Sequence, residues 1–482
     1  MTSGVKPGRP SRPMYPEYFP GPTKYRNLNY HEKGVIYDHN GNVIEHSVDA
    51  DSIVRILSST NSALYTNGLS NSRAFPYLRP FVDNSRSKVI CTRTGVPSLI
   101  RVSTKKGTRW VVDTNSWDEV PEAEVSNRMW DLFEHYGIGF APTAGSLGRL
   151  LMIKIHQEQG LKRHTSLSLS CEKFIKNNQP GGMAQTLELG AWNQLDYIDM
   201  KSAYLSKYYL NPAGTARWEI GLDDVECSTY FCRCTVFVTS ELPLGAFAVR
   251  TTDWKKYRKR LIYPRQPGVY ENVYLWKEQV ETIRSLGCEV WTHEGYSWPD
   301  FTTDNMFWCQ SSFWLRKSAG ASHVKEKVKT CIVAPIGRMG MDRSHYYLVN
   351  EANHKPEDRV LVNSDGEPID IYIREEVDRN SAYMTHWWAY TVAMCNLELF
   401  NFAYPFAVQG NLVSMDYDSV LVKDLGEHSY VEYGTPQANN AKPGTWVHRP
   451  LHQIEVIADR SFRSLELTKT PGVSHNDAAT AA

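Results

Sequence analysis

One stretch of eleven residues, 412–422, constrains this chain more than any other. It places two aspartates between two apolar runs, in the order Leu412-Val413-Ser414-Met415-Asp416-Tyr417-Asp418-Ser419-Val420-Leu421-Val422. Apolar runs on both sides of a short polar tip predict a β-hairpin with Asp416 and Asp418 at its turn. Two carboxylates this close repel each other unless a cation neutralises them. An ordinary surface turn is the alternative, and it explains one aspartate more readily than two.

A second acidic site lies much earlier in the chain. The segment 195–204 predicts a strand that ends at Asp199 and turns directly into a helix. A carboxylate there can bind a metal ion, and the backbone N–H groups at the start of a helix can meet a phosphate. A helix-capping aspartate is the alternative. Together with Asp416 and Asp418, Asp199 supplies the hard oxygen ligands that suit Mg²⁺ and two-metal phosphoryl transfer.

A cationic helix candidate, 307–333, lies between the two acidic sites. Lys325 and Lys329 are four residues apart and share one helix face, and Lys317 precedes them. A turn at Pro335-Ile336-Gly337 is predicted to follow. A cationic face opposite an acidic site is what triphosphate binding requires. An exposed amphipathic helix is the alternative.

The charge balance bears on nucleic-acid binding. The formal net charge is +0, with 53 basic and 53 acidic residues. This balance argues mildly against a nucleic-acid-binding protein, but binding requires only a local basic surface. The run 255–260, which includes Lys255, Lys256 and Arg258, provides such a cluster. A solvated charged face is the alternative for this cluster.

Cysteine usage and hydropathy indicate the compartment. The nine scattered cysteines lack the spacing of a disulfide framework and are typical of a reducing compartment. Cys227, Cys232 and Cys234 lie close together, but 232–238 alternates like a strand and no second ligand pair follows, so zinc is disfavoured. The pattern predicts neither a secretory leader nor a membrane-spanning run. We therefore expect a cytoplasmic protein without a membrane partner.

The order of predicted elements is that of an α+β protein with several domains. Residues 1–22 contain six prolines and predict an extended arm. The loop Gln179-Pro180-Gly181-Gly182 marks a later boundary. Hairpins are predicted from 35–37 with 43–44 and from 98–102 with 109–112; helices are predicted over 52–57, within 122–159, and over 276–286, 307–333 and 381–402.

The order and spacing of these sites resemble those of B-family DNA polymerases, most closely the protein-primed branch of phages and linear plasmids. The branch's first motif, D-x-x-S-L-Y-P, corresponds to Asp199-Met200-Lys201-Ser202-Ala203-Tyr204-Leu205. Its third motif, Y-x-D-T-D-S, corresponds to Ser414-Met415-Asp416-Tyr417-Asp418-Ser419. The resemblance spans roughly residues 35–475.

Three further motifs are altered. The fingers motif K-x-x-x-N-S-x-Y-G keeps Lys329 and Gly337, but Val333, Ala334 and Ile336 replace its Asn, Ser and Tyr. The family's fingers tyrosine packs on the incoming nucleotide, so Ile336 implies a different basis for base selection. The Y-x-G-G loop corresponds to Gln179-Pro180-Gly181-Gly182, and the late K-x-Y motif to Arg460-Ser461-Phe462.

The resemblance implies a fold and a domain order. The fold is a degenerate RNase H-like exonuclease domain followed by a right-hand polymerase of palm, fingers and small thumb. The implied boundaries are an arm at 1–30, an exonuclease-like domain at 31–165, a polymerase domain at 166–473 and a disordered tail at 474–482. Within the polymerase domain, the palm is 180–240 and 375–445, the insertion about 241–295, the fingers about 296–345 and the thumb about 446–473.

The resemblance also implies a role for each motif residue. Asp199, Asp416 and Asp418 would be catalytic, and Asp199, Met200 and Asp418 would hold Mg²⁺, with Mn²⁺ as an alternative. The nucleotide-binding residues would be Ser202, Ala203, Tyr204, Lys317, Lys325 and Lys329, with Tyr204 facing the sugar. The DNA-binding residues would be Gly181, Gly182, Gly337, Arg460, Phe462, Lys255, Lys256 and Arg258. The implied partners of a monomeric enzyme are primer-template DNA, deoxynucleoside triphosphates and a terminal-protein primer.

The carboxylates that proofreading requires are missing from the matching positions. The family's exonuclease domain carries an early D-x-E pair, an aspartate that follows an asparagine, and a Y-x-x-x-D motif. Here the nearest acidic pair, Asp49 and Asp51, is typical of a helix start, Asn71 stands where an aspartate is expected, and 127–131 lacks the tyrosine. We therefore expect a DNA polymerase without 3′–5′ proofreading.

Two other functions stay open at this point. One is a polymerase-derived DNA-binding scaffold with weakened catalysis, which the altered fingers motif favours. The other is a palm enzyme that uses an RNA template, such as a reverse transcriptase. Reverse transcriptases usually carry two adjacent late aspartates, whereas Tyr417 separates Asp416 from Asp418 here.

Overall fold

The protein is described here by a computed structural model. The structure describes residues 27–32, 35–37, 42–45, 53, 55–57, 62–66, 75–104, 107–113, 144–160, 167–253, 258–318, 332–337, 339–340, 344–362, 366–377, 384–426, 430–458 and 461–469. The chain divides into two compact units. Unit 1 comprises Met1–Glu158, Trp314–Pro335 and Met341–Ser381, and unit 2 comprises Gln159–Phe313, Ile336–Gly340 and Ala382–Ala482.

Unit 1 is built on a ten-stranded sheet. Its first seven strands are β1 (Asn27–Glu32), β2 (Val35–Tyr37), β3 (Val43–Glu45), β4 (Ser62–Thr66), β5 (Ser87–Cys91), β6 (Pro97–Thr104) and β7 (Gly107–Asp113). Three more come from later in the chain: β18 (Ser344–Asn350), β19 (Arg359–Val362) and β20 (Pro368–Val377). The strand order is β19-β20-β18-β5-β6-β7-β4-β1-β2-β3. Its described helices include α1 (Phe75–Asp83) and α2 (Ala144–Glu158).

The pairing in this sheet confirms both predicted hairpins, because β2 pairs antiparallel with β3 and β6 with β7. Alternate apolar side chains of the strands, such as Val89, Ile100 and Val111, pack against Leu78 and Phe81 of α1 to form the core. The three strands from later in the chain join this sheet through β18, which pairs antiparallel with β5.

Unit 2 contains an eight-stranded sheet that carries the acidic segments. Its strands are β8 (Ala184–Thr186), β9 (Gly190–Met200), β21 (Leu412–Asp416), β22 (Ser419–Val422), β23 (Val431–Glu432), β24 (Trp446–Ala458), β25 (Ser461–Arg463) and β26 (Thr468–Lys469). The order is β26-β25-β24-β9-β22-β21-β8, and β23 pairs with β24. Residues 446–458, which the resemblance assigns to the thumb, therefore form the strand beside β9. The proposed palm and thumb boundaries themselves stay predictions.

Unit 2 also contains a four-stranded sheet in the order β11-β16-β12-β15. Its strands are β11 (Arg217–Ile220), β12 (Thr229–Val238), β15 (Gly268–Trp276) and β16 (Glu289–Trp298), and two separate pairs join β10 (Asn211–Ala213) with β17 (Asp300–Thr302) and β13 (Val249–Asp253) with β14 (Arg258–Ile262). The described helices after α2 include α3 (Leu169–Asn178), α4 (Ala203–Lys207), α5 (Lys277–Ser285), α6 (Met306–Ser318), α7 (Thr385–Val408) and α8 (Pro436–Asn439). The division between the units falls within α6.

Helix α7 is the central packing element of unit 2. Its side chains Leu399, Phe400 and Phe406 share one core with Met415 of the eight-stranded sheet and Val236 of the four-stranded sheet. A helix that is apolar on nearly all sides is stable only when it is buried in this way. Among the described residues, no helix is long and apolar enough to cross a membrane, and this includes α7.

The end of α7 follows from one glycine. Gly410 has a φ of 72°, its N–H donates to the Ala407 carbonyl, and the Asn411 N–H donates to the Phe406 carbonyl at 2.8 Å. This pair of bonds is a Schellman motif, which terminates a helix at a residue in the left-handed conformation. The helix predicted over 381–402 is therefore confirmed, although it begins at Thr385 and continues to Val408.

One predicted turn is wrong. The segment Pro335-Ile336-Gly337 is helical, and the described part of that helix covers 332–337. Ile332 and Ile336 are four residues apart and both are almost fully buried. Burial of one helix face therefore outweighs the local turn preference of proline and glycine.

Candidate active site

Two of the three predicted catalytic aspartates meet at one end of the eight-stranded sheet. Asp199 lies near the end of β9 and is paired in register with Ser419, the first residue of β22. The Met200 N–H donates to the Asp418 carbonyl at 2.7 Å. Strands β9 and β22 are therefore neighbours at the point where Asp199 and Asp418 occur, although more than two hundred positions separate them in the sequence.

The third aspartate lies beside them in a more buried position. Asp416 ends β21 and pairs with Ser419 across the hairpin, and only 7 % of its surface is exposed. Asp199 and Asp418 are half-buried. The Ser419 hydroxyl donates to the Asp416 carbonyl at 3.1 Å and closes the turn.

The combined charge of the three carboxylates acts on the tyrosines around them. Burial raises the pKa of Tyr197 well above its usual value, and the negative charges of Asp199, Asp418 and Asp416 raise this pKa further. The pKa of Tyr204 is raised by burial first, and also by Cys395, Asp418, Tyr417 and Asp416. Both phenols are therefore neutral over the physiological range, and negative charge accumulates at this end of the sheet.

The three aspartates offer the type of ligand that Mg²⁺ prefers, but they do not form a complete set of protein ligands around a metal ion. The available groups are hard carboxylate oxygens on β9, at the end of β21 and in the turn before β22, and such oxygens are the ligand type that Mg²⁺ prefers. Among the described residues, no group of three or more His, Cys, Asp or Glu side chains is arranged to hold a metal ion. Mg²⁺ is commonly held by one or two carboxylates together with water and substrate phosphates, so the pair Asp199 and Asp418 fits that mode.

Two residues around the aspartates have strained backbones. Tyr417 has a φ of 53° and Ser202 a φ of 49°, in the left-handed region that residues other than glycine rarely adopt. Each such residue costs about 1–2 kcal/mol. Strain of this kind persists only where the surroundings impose it, and it is concentrated at functional sites.

The glycine loop, residues 179–183, is what holds Tyr417 in this conformation. The Tyr417 N–H donates to the Met183 carbonyl at 2.8 Å. A Cβ atom added to Gly182 would lie 1.6 Å from the Tyr417 ring, so only glycine allows the ring to approach this closely. The predicted DNA-binding residue Gly182 therefore lies directly against the acidic hairpin formed by β21 and β22, and Gly181 precedes it in the loop.

Asn396 of α7 fixes the same loop, and it was not predicted from the sequence. Its side-chain amide donates to the Gly181 carbonyl at 2.9 Å and accepts from the Met183 N–H at 2.8 Å. Asn396 is only 4 % exposed. A polar residue within an otherwise apolar helix was the available signal, because a buried amide needs hydrogen-bond partners.

Tyr204 is positioned by the short helix α4, which begins immediately after Ser202. Its ring packs against a buried cluster of Met200, Ala203 and Cys395. The predicted nucleotide-binding residues Ser202, Ala203 and Tyr204 are thus placed directly beside Asp199. The predicted strand followed directly by a helix is confirmed, although β9 ends one residue after Asp199, at Met200, and α4 begins at Ala203.

Phe462 also lies near the acidic site. Its ring centroid is 5.9 Å from that of Tyr197, and both rings line a small cavity together with Asp416 and Ser419. Arg460, its predicted companion in the primer-end motif, lies outside the described residues.

For the remaining predicted nucleotide- and DNA-binding residues, the structure describes only part of their surroundings or none of them. Gly337 is exposed on the helical segment 332–337, and two residues further on Met339 accepts a hydrogen bond from Tyr208 at 3.0 Å, just beyond α4. The backbones of Lys317 and Arg258 belong to α6 and β14. Lys325, Lys329, Lys255 and Lys256 lie outside the described residues, as do Asp49, Asp51, Asn71 and 127–131.

The architecture defines the chain as having the fold of a DNA polymerase. The phi29 DNA polymerase in a ternary complex with primer-template DNA and incoming nucleotides matches it with a TM-score of 0.69 at 12% identity, over 93% of each chain. The same polymerase in a binary complex with primer-template DNA matches with a TM-score of 0.64 at 13% identity, over 95% of this chain and 90% of that one. No protein-family model and no curated protein matches the sequence. The predicted α+β, multidomain polymerase fold is confirmed.

Proposed function

We propose that this chain is a DNA-directed DNA polymerase that adds deoxynucleotides to a primer 3′-hydroxyl. The observation that carries the proposal is the pairing of Asp199 with the Asp418–Ser419 turn at one sheet end within a DNA polymerase fold. The similar phi29 enzyme is seen with primer-template DNA and incoming nucleotides. We assign the same classes of partner to this chain, with a role in phage or plasmid DNA replication.

The proposed reaction is attack of the primer 3′-hydroxyl on the α-phosphate of a deoxynucleoside triphosphate, with pyrophosphate as the leaving group. Asp199 and Asp418, with Met200 beside them, would hold Mg²⁺, and Asp416 adds a further negative charge. When bound, the metal activates the hydroxyl and stabilises the leaving group. Tyr204 would lie beneath the sugar, while Lys317, Lys325 and Lys329 would bind the triphosphate.

The insertion between Asp199 and Lys329 is the proposed site for a further partner. The last residues of its basic cluster, from Arg258 onward, belong to β14, which pairs with β13. On β13, Arg250 hydrogen-bonds to the carbonyls of Asn177 and Gln179, and Gln179 begins the glycine loop. The hairpin is therefore anchored close to the acidic site. We propose that it contacts DNA or a terminal-protein primer. We further propose that the enzyme is a cytoplasmic monomer.

Primer extension with Mg²⁺ on matched DNA and RNA templates tests the function. We expect extension on the DNA template that stops when the metal is chelated. Extension only on the RNA template would assign the chain to the reverse-transcriptase type of palm enzyme. Tight primer-template binding with no extension on either template, in Mg²⁺ or Mn²⁺, would instead identify a DNA-binding scaffold.

A further inference from the structure

Tyr197 lies two residues before Asp199 on β9, so its side chain points to the same face of the sheet. Its hydroxyl donates to the Asp199 Oδ1 atom at 3.4 Å. Ser419 directly follows Asp418. On the neighbouring strand β22, Ser419 pairs with Asp199 and Leu421 pairs with Tyr197, so Tyr197 lies beside the strand that begins directly after Asp418.

The packing around Tyr197 does not itself require a hydroxyl. Only 8 % of the residue is exposed, and its ring packs within a core of Leu195, Leu421 and Phe462. A phenylalanine would fill this space equally well. Because a buried hydroxyl is costly unless it is hydrogen-bonded, its placement against a carboxylate indicates a purpose beyond packing.

We propose that Tyr197 is a positioning residue that orients the Asp199 carboxylate for divalent-metal binding; this inference rests on the proposed function. By holding Oδ1, the hydroxyl would restrict the orientation of the carboxylate that would ligate the metal. Residues that hydrogen-bond to a metal ligand commonly fix its orientation in this way. The 3.4 Å separation exceeds the usual O–H···O distance of about 2.7–2.8 Å. Active-site hydrogen bonds are often long before substrate binds and tighten in the complex.

The test is a direct titration of Mn²⁺ into the purified full chain, followed by electron paramagnetic resonance of free Mn²⁺, for the wild type and Tyr197→Phe. We expect the variant to bind Mn²⁺ about 10-fold more weakly, the lower end of the range seen when such a hydrogen bond is removed. The Mg²⁺ concentration at half-maximal primer extension should rise in parallel, with the KM for nucleotide little changed. Tyr230→Phe, which removes the hydroxyl of a 4 % exposed tyrosine on β12 in the other sheet, is the matched control.

A double-mutant cycle separates positioning from a general structural effect. If Tyr197 acts through Asp199, adding Tyr197→Phe to Asp199→Asn should weaken Mn²⁺ binding no further. Equal Mn²⁺ affinity of Tyr197→Phe and the wild type, with Asp199→Asn clearly weaker, would overturn this inference and leave the proposed function intact. If Asp199→Asn changes neither Mn²⁺ binding nor extension, the proposed function itself fails. Loss of affinity in Tyr230→Phe as well would assign the effect to packing and reject the positioning role.

Discussion

Asp199 lies on β9 and Asp418 lies in the turn directly before β22, and the register of the two strands gives each aspartate a different neighbour. Asp199 is contacted by the Tyr197 hydroxyl, whereas the backbone of Asp418 is tied to Met200. The strained residues Ser202 and Tyr417 adjoin the same site. At the scale of single residues, the fold therefore holds two carboxylates in a defined geometry at a cost in backbone strain.

We predict that Asp199→Asn or Asp418→Asn abolishes primer extension while DNA binding survives. Each change removes one negative charge from a proposed metal ligand but keeps the size of the side chain. Losing such a ligand should lower the rate by about 10²-fold or more. Single-turnover extension and a gel-shift titration of the same preparations measure the two quantities. Near wild-type extension by either variant would contradict the assignment.

We predict that Tyr204→Ala raises ribonucleotide incorporation relative to deoxyribonucleotide incorporation. The Tyr204 ring packs against Met200, which directly follows Asp199, and against Cys395. This packing fixes the ring in place, so that it can exclude a 2′-hydroxyl. Tyr204→Phe keeps the ring and is the matched control, for which we expect no change in sugar choice. The ratio of single-nucleotide incorporation rates decides between them, and an unchanged ratio in Tyr204→Ala would rule out the role.

Residue-level predictions from sequence succeeded where the signal was local. The acidic hairpin and the strand that ends near Asp199 are both visible in short segments. Asn396 was missed because its partners, Gly181 and Met183, lie more than two hundred positions away. Tyr197 carried a usable signal, since strand alternation places it on the same face as Asp199. Its place beside β22, opposite Leu421, depends on the register between β9 and β22, which the sequence does not reveal.

At the scale of elements, the glycine loop and the acidic hairpin behave as one packed assembly. We predict that Gly182→Ala lowers the free energy of unfolding by about 1–3 kcal/mol, because the added methyl group would overlap the Tyr417 ring. Extension should fall as well, since Tyr417 separates Asp416 from Asp418. Gly181→Ala is the control for stability, because nothing lies within 4 Å of its added Cβ atom. Equal urea midpoints for the two variants would show that the glycine loop accommodates the added methyl group without loss of stability, which would contradict the prediction.

The β13–β14 hairpin supplies a second prediction at this scale. Replacing Lys255, Lys256, Arg258 and Lys259 by Ser should weaken DNA binding and reduce processivity. For every phosphate that the variant no longer neutralises, the slope of log K against log salt should become shallower by about 0.9, because fewer counterions are released on binding.

The control for the hairpin variant is a protein in which two exposed basic residues elsewhere in unit 2, Lys173 and Arg217, are replaced in the same way. These changes should leave the salt dependence as it is. If the hairpin variant keeps wild-type affinity, salt dependence and processivity, the basic cluster has another purpose.

Elements were predicted well where they form from neighbouring residues, as α7 and the two early hairpins show. Pairings between distant segments were not predicted. The strand β24 pairs along nearly the whole of β9, and β18 joins the early sheet through β5. Such pairings depend on the closure of long loops and on the exclusion of competing registers, neither of which a local pattern encodes.

At the scale of the whole molecule, a fold shared with phi29 DNA polymerase over 93% of both chains coexists with 12% identity. Core positions tolerate many apolar substitutions provided that volume and pattern are kept, so a fold can survive extensive change in sequence. The sites of chemistry tolerate far less. This contrast explains why the order of a few motifs indicated the polymerase fold, although no single motif did so alone.

The same contrast leads to the prediction that this chain does not proofread. A two-metal 3′–5′ exonuclease needs several carboxylates that converge on one cleft. The N-terminal sheet is present, yet Asn71 replaces an expected aspartate and brings no negative charge to hold Mg²⁺. We expect purified protein with a mismatched, labelled primer and Mg²⁺ or Mn²⁺, but no nucleotides, to leave the primer at full length.

Relocated carboxylates are the physical alternative to a domain without nuclease activity. Asp113, at the end of β7, and Glu124 are acids of the N-terminal domain that could replace the missing ligands. If so, the primer would shorten stepwise, and Asp113→Ala or Glu124→Ala would stop the shortening. That result would overturn the prediction. A primer that stays intact, in a preparation that extends a matched primer, means that the N-terminal domain keeps its sheet but has no nuclease activity. Its retention then follows from packing or from guidance of the template strand, because a fold can be kept for its shape after the loss of a charge has ended its catalysis.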